Sequence, residues 1–187
     1  MRPRWIFVVV LVAAIIAAAA GVAARAVYRQ PAEASSAVVP NEKPVPPGKQ
    51  PGDRTVTAAA DATAHPLYQT VRQLLQTYFD AINSHRYEQW RTVVSSRRAK
   101  FQPEKDWRTA YRTTQDGSIV IYRIETGPAD TARVLLTFTS TQDVKDAPLE
   151  LPEPCIRWKV VFPLIFEDRA WKLDSGPTSS APQHEVC

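Results

Sequence analysis

Glycine is scarce: the chain holds six in 187 residues, and none falls in the spacing of a phosphate-cradling loop or a dinucleotide fingerprint. Histidine is rarer still, limited to His65, His85 and His184, and no His/Cys/Asp cluster has metal-ligand spacing. No Gly-x-Ser-x-Gly elbow presents a serine nucleophile. These absences leave neither a cofactor nor a metal to expect. An excess of one charge is also missing from the larger part of the chain, since residues 65–187 carry sixteen Lys/Arg against fifteen Asp/Glu. Near-neutrality lacks the electrostatic footprint of nucleic-acid binding, so no nucleic-acid partner is expected. The formal net charge of +4 belongs mainly to residues 1–64, with seven Lys/Arg against four Asp/Glu.

What the chain does have is one long apolar run. Trp5 to Ala24 is twenty residues without a charge, carboxamide or hydroxyl. At about 1.5 Å per helical residue it covers the roughly 30 Å of a bilayer's hydrocarbon core. Four residues precede it, Arg2 and Arg4 among them, while Arg25 and Arg29 follow, so the positive-inside bias tilts only slightly toward a cytoplasmic N-terminus. The short leading tail supports the same orientation. The expected topology is a cytoplasmic tail (1–4), a transmembrane helix (5–24) and an extracytoplasmic remainder on the cell membrane. The alternative is a cleaved signal, because Ala18-Ala19-Ala20 and Ala24-Arg25-Ala26 fit small-x-small cleavage sites; a signal's apolar region usually runs only about 7 to 15 residues.

Residues 25–64 read as a linker. Gln30 to Ala64 holds Pro31, Pro40, Pro44, Pro46, Pro47 and Pro51 with almost no large apolar residue, a composition expected to stay disordered or extended. The remaining residues, 65–187, suffice for one domain. Pro66 suits a first helical turn, and Leu67, Val71, Leu74, Leu75, Tyr78, Phe79 and Ile82 recur at three- and four-residue steps, which predicts one amphipathic helix. Tyr87, Trp90, Val93 and Val94 predict a shorter second helix, and Pro103 to Tyr111 a third. After Gly117 the period becomes two. Ser118–Thr126, Ala132–Thr141, Ile156–Phe166 and Arg169–Ser175 predict strands. Pro163 calls for an edge or bulge, and short connections at Pro128-Ala129-Asp130 and Glu167-Asp168 predict hairpins and an antiparallel sheet. Helices followed by strands give an α+β domain with a curved sheet folded over its helices.

Tyr78-Phe79-Asp80-Ala81-Ile82-Asn83-Ser84-His85-Arg86-Tyr87-Glu88-Gln89-Trp90 resembles the opening of the NTF2-like (cystatin-like cone) superfamily, and Phe166 to Asp174 resembles its closing strand pair. The resemblance covers about residues 65 to 176. It implies N-terminal helices packed on a curved antiparallel sheet, commonly with a pocket between them. Members include isomerases, polyketide cyclases, dehydratases and non-catalytic partners. With its anchor and spacer the chain resembles bacterial envelope accessory proteins, including those associated with Mce-type lipid importers.

Candidate pocket residues are Tyr78, near the centre of the helix's apolar arc, and Trp90, Trp107, Tyr111 and Trp158; for each the alternative is core packing. Asp80 falls opposite that arc, in solvent, and His85 in the interhelical turn, as a cap or a solvated residue, with a catalytic role as the alternative. Arg97, Arg98, Lys100, Lys105, Arg108 and Arg112 cluster across the second and third helices. They read as a solvated face, with anionic headgroups or wall polymers as the alternative. Cys155 and Cys187 are expected to pair in an oxidising compartment and pin the tail; free thiols or an intermolecular link are the alternatives. The expected function is a membrane-anchored, non-catalytic extracytoplasmic accessory or binding domain, its partner an envelope protein or lipid-like ligand. The alternatives are an isomerase- or cyclase/dehydratase-type enzyme acting on an apolar small molecule, and a homodimerising envelope scaffold.

Overall fold

The computed structural model describes residues 45–176 and 182–187. The expected span Trp5–Ala24 and the tail before it lie outside the described residues. Among those described, no helix is long and apolar enough to cross a membrane.

Among the described residues a principal helix, four shorter helices, two 3-10 turns and six strands build the domain. The 3-10 turn Pro47–Lys49 leads into β1 (Thr57–Ala58) and α1 (Ala60–Thr63). Then come α2 (Tyr68–Asn83), α3 (Tyr87–Val93), α4 (Ser96–Phe101) and α5 (Glu104–Ala110). The sheet strands are β2 (Gln115–Thr126), β3 (Thr131–Thr141), β4 (Cys155–Glu167), β5 (Ala170–Leu173) and β6 (Gln183–Val186), with a second 3-10 turn at Val144–Asp146. The α+β order is the one the change of period predicts. α2 buries Val71, Leu74, Leu75, Tyr78, Phe79 and Ile82, the apolar stripe of the periodicity.

Sheet order is β1-β2-β3-β4-β5, with β6 also on β4. All pairs are antiparallel except β1 with β2. Register shifts in β2 between Gly117 and Val120 and between Ile121 and Arg123 bend the sheet. Asp168 and Arg169 both take positive φ, 52° and 61°, matching a two-residue hairpin turn to the twist of β4 and β5. β4 is shared along one edge: β5 pairs with Leu164 to Glu167 and β6 with Ile156 to Lys159. Pro163, which has no N–H to give, stands in the gap between them and accepts from the Asp174 amide at 2.8 Å.

The linker reading fails for residues 45–64, which belong to the domain. Val56 is 2% exposed and Ala62 fully buried. The segment is held where composition gives no sign of it: the Ser118 amide donates to the Asp53 carbonyl at 2.7 Å, and the Val56 amide to Gln76 Oε1 at 2.9 Å. A long-range parallel pairing of two residues leaves no local periodicity to read. Gly117 is the contact point, since a Cβ there would lie 2.8 Å from the carbonyl oxygens of both Pro51 and Gly52. Gly117→Ala is therefore expected to cost about 1–3 kcal/mol and to open residues 45–58 to proteolysis. Chemical denaturation and limited proteolysis check it; unchanged values would show that the segment is not docked.

The second difference is α4, which the hydrophobic pattern does not announce because none of its residues is buried. It is made by its cap: Ser95 Oγ accepts from the Arg98 amide at 3.1 Å. The tail also exceeds expectation, forming β6 in addition to the Cys155–Cys187 bridge (Cα–Cα 5.4 Å).

Candidate functional site

Between α2 and the concave face of the sheet lies a cavity of about 400 Å³, within the range of small-molecule sites. The alternation of β3 and β4 supplies its wall, since Phe138, Trp158, Val160 and Phe162 all point inward. α2 adds Phe79 and Ile82. Phe79 meets Phe138 with ring centroids 5.0 Å apart, and Phe138 stacks on Trp158 at 6.3 Å. Pro182 completes the rim, and strand β6 sets His184 against Trp158 at 5.4 Å.

A row of polar groups crosses this apolar wall. Tyr78, one helical face from Phe79, accepts from Arg98 Nη2 at 2.8 Å, and the Arg98 guanidinium lies 5.2 Å from the Tyr78 ring and 5.7 Å from that of Phe162. Tyr111 stands beside Tyr78 and Arg98; burial pushes its phenol well above the ordinary value, Tyr78 adds to the rise and Arg98 opposes it. Burial also works against the charge on Arg98, and the two neighbouring phenols oppose that effect. Asp116, 2% exposed, closes the row. Burial raises its carboxyl to about 7, opposed by the Ser140 hydroxyl, which donates to it at 2.5 Å. Asn83 fixes the Asp116 backbone through two bonds, accepting from its amide at 2.6 Å and donating to its carbonyl at 2.9 Å.

Arg98 is placed by the cap of α4. Ser95 Oγ donates to Asp174 Oδ1 at 2.5 Å while accepting from the Arg98 amide, and Arg97 pairs with the same Asp174 carboxylate. Burial opposes the charge on Asp174, but Ser95, the Ser175 amide and Arg97 together keep its carboxyl below the ordinary value. Ser96 ties the same turn to Glu167 at the β4–β5 hairpin. At the opposite rim Asp146 is bound by Arg112 and by the Thr113 hydroxyl, which hold its carboxyl low.

Of the five candidate pocket aromatics, Tyr78, Tyr111 and Trp158 line the cavity. Trp90 and Trp107 do not: both are fully buried behind Tyr111, which Trp107 meets at 5.3 Å, with their ring centroids 5.9 Å apart and 5.5 and 5.6 Å from Tyr87. Their helices turn these faces toward each other rather than toward the sheet. His85 takes positive φ in the turn and bonds the Arg112 carbonyl at 2.9 Å. Asp80 interacts with Gln76 at 3.1 Å. Arg98 departs from the solvated basic face assigned to its cluster, because the cap of α4 turns it inward. Sequence reasoning missed Asp116 and Ser140 altogether; Asp116 lies before the stretch where alternation becomes legible. Among the described residues no group of three or more His, Cys, Asp or Glu could hold a metal ion.

No family model matches the chain, and no curated protein matches it. Among solved structures it is similar to the intermembrane space region of the chloroplast protein ARC6, at 13% identity over 63% of this chain and 94% of that one, TM-score 0.41. It is also similar to a domain assigned as a calcium/calmodulin dependent protein kinase II association domain from Xanthomonas campestris, at 13% identity over 66% and 97%, TM-score 0.45. Likeness at this level transfers no residue role to this chain.

Proposed function

We propose that this chain is a membrane-anchored bacterial envelope protein whose extracytoplasmic domain is an NTF2-like cone that binds a small apolar molecule without transforming it. The observation that carries the reading is the cavity of about 400 Å³ walled by Phe79, Phe138, Trp158 and Phe162. Of the partners the sequence suggests, this wall favours the lipid-like ligand. The bridge between Cys155 and Cys187 suits an oxidising compartment outside the cytosol, and the Trp5–Ala24 run suits an anchor.

The full chain in phospholipid nanodiscs is expected to bind the apolar fluorophore N-phenyl-1-naphthylamine saturably, about one per chain, above the signal of empty nanodiscs. Val160→Trp, which fills the cavity, is expected to abolish that saturable part. Binding that follows lipid content alone would defeat the reading.

A second reading rests on Asp116. A buried carboxyl raised to about 7 beside the Tyr111 phenol is suited to move a proton to or from an apolar substrate. It requires a C–H-acidic ligand to exchange with D2O in the presence of the protein and to stop doing so in Asp116→Asn; a ligand recovered unlabelled favours the binding reading.

A further inference from the structure

Arg98 is the group in the cavity whose charge the fold leaves unanswered. Its guanidinium lines an apolar wall, packed against the rings of Tyr78 and Phe162. Among the described residues it forms no ion pair, whereas the neighbouring Arg97 and Arg112 each have a carboxylate. Asp174 offers Arg98 its backbone carbonyl, 3.4 Å from Nη1, while its carboxylate is taken by Ser95 and Arg97. The Tyr78 hydroxyl accepts from Nη2 and still has its own proton to give. Of the two carboxyl groups that line the cavity, Asp146 is held by Arg112 and Thr113, and Asp116 accepts from Ser140.

A guanidinium in apolar surroundings without a counter-charge is costly, and the cost disappears when an oxyanion arrives to be held by its fork. We propose that the cavity is built for an amphiphile whose tail packs among Phe79, Phe138, Trp158 and Phe162 and whose terminal oxyanion, a carboxylate or phosphate monoester, is read by Arg98 with the Tyr78 hydroxyl. The inference rests on the binding function proposed above and specifies its ligand. Below about pH 6 Asp116 does not oppose such a ligand, because burial raises its carboxyl to about 7 and it then presents an O–H. Tyr111, between the two, adds a neutral phenol because its ionisation is pushed far above physiological pH. Below about pH 6, where the binding test is run, the cluster therefore carries one positive charge and several donors, a composition that selects an anion over an alcohol or an amine of the same chain length.

The test uses equilibrium dialysis of the full chain in nanodiscs against decanoate, decyl phosphate, decanol and decylamine, each corrected for empty nanodiscs. Decanoate or decyl phosphate is expected to bind about tenfold or more tightly than decanol, with decylamine weakest. The two anionic arms separate a carboxylate headgroup from a phosphate one. In Arg98→Gln the preference over decanol is expected to shrink below about twofold while decanol affinity itself holds. Far-UV circular dichroism confirms that the variant is folded. Arg98→Lys, which keeps the charge but not the fork, is expected to retain part of the preference. Equal affinity for decanol and the anions would overturn the anion site and leave the apolar cavity standing. Loss of decanol along with the anions in a folded Arg98→Gln would also overturn it. Failure of all four compounds to bind would remove the binding function as well.

Discussion

Asp116→Asn is expected to raise folding stability by about 2–4 kcal/mol at pH 8 and to leave it nearly unchanged below pH 4. The unfolded carboxyl ionises near its ordinary value of 3.8, and burial lifts the folded one to about 7. Between those values the unfolded chain has released a proton that the folded chain keeps, so stability falls as pH rises through the window and levels off above it. Each pH unit is worth about 1.4 kcal/mol, and a window of about three units sets the upper figure. Asparagine has nearly the same shape and carries no charge, and its carbonyl oxygen accepts from Ser140 as the carboxyl does. Urea midpoints of the two proteins measured from pH 4 to pH 8 give the result, with the difference growing with pH. Parallel curves would mean that Asp116 ionises at an ordinary pH and is wetter than the structure shows. Comparison at each pH cancels the opposite contributions of Asp146, Glu167 and Asp174, whose lowered pKa values cost stability as pH falls.

Opening the Cys155–Cys187 bridge has an effect of similar size. The two residues are 32 positions apart, and chain-entropy arithmetic for such a loop gives about 3–4 kcal/mol. The paired variant Cys155→Ser/Cys187→Ser is expected to lose that stability. Its first structural consequence falls on β6, whose four residues are all exposed and pair only with Ile156 to Lys159. Hydrogen exchange should quicken first at the amides of Gln183 to Val186, ahead of those in β3. Because Pro182 lines the cavity and His184 packs on Trp158, binding of the fluorophore should weaken in the same variant. Unchanged exchange in β6 would show that the ladder holds without the bridge.

Much of this architecture was legible because it follows from periodicity. The α2 stripe repeats at helical spacing and ends up buried, and the alternation in β3 and β4 names the residues of the cavity wall, Trp158 among them. The parts that escaped have long-range causes. Val56 is buried because β2 offers it a parallel edge, and Arg98 faces inward because Ser95, held by Asp174 far along the chain, starts a helix there. Tyr111 and Trp107 sit four residues apart on and just past one helix, yet Tyr111 lines the cavity and Trp107 does not. Only the packing of neighbouring helices separates them. Asp116 precedes the readable alternation of β2, and its altered acidity arises from burial that no local pattern records.

The shared edge of β4 turns that strand into a ruler with two fixed marks, one set by β5 and the other by β6 and its sulfur link. Removing one residue between the marks, at Val161 for instance, would force one end to slide. A slide of a single position exchanges inside for outside along a strand. The aromatic lining would then face water and the lysine and arginine flanking Trp158 would face the void, so the length of this thirteen-residue strand is as much a determinant of the chamber as its side chains.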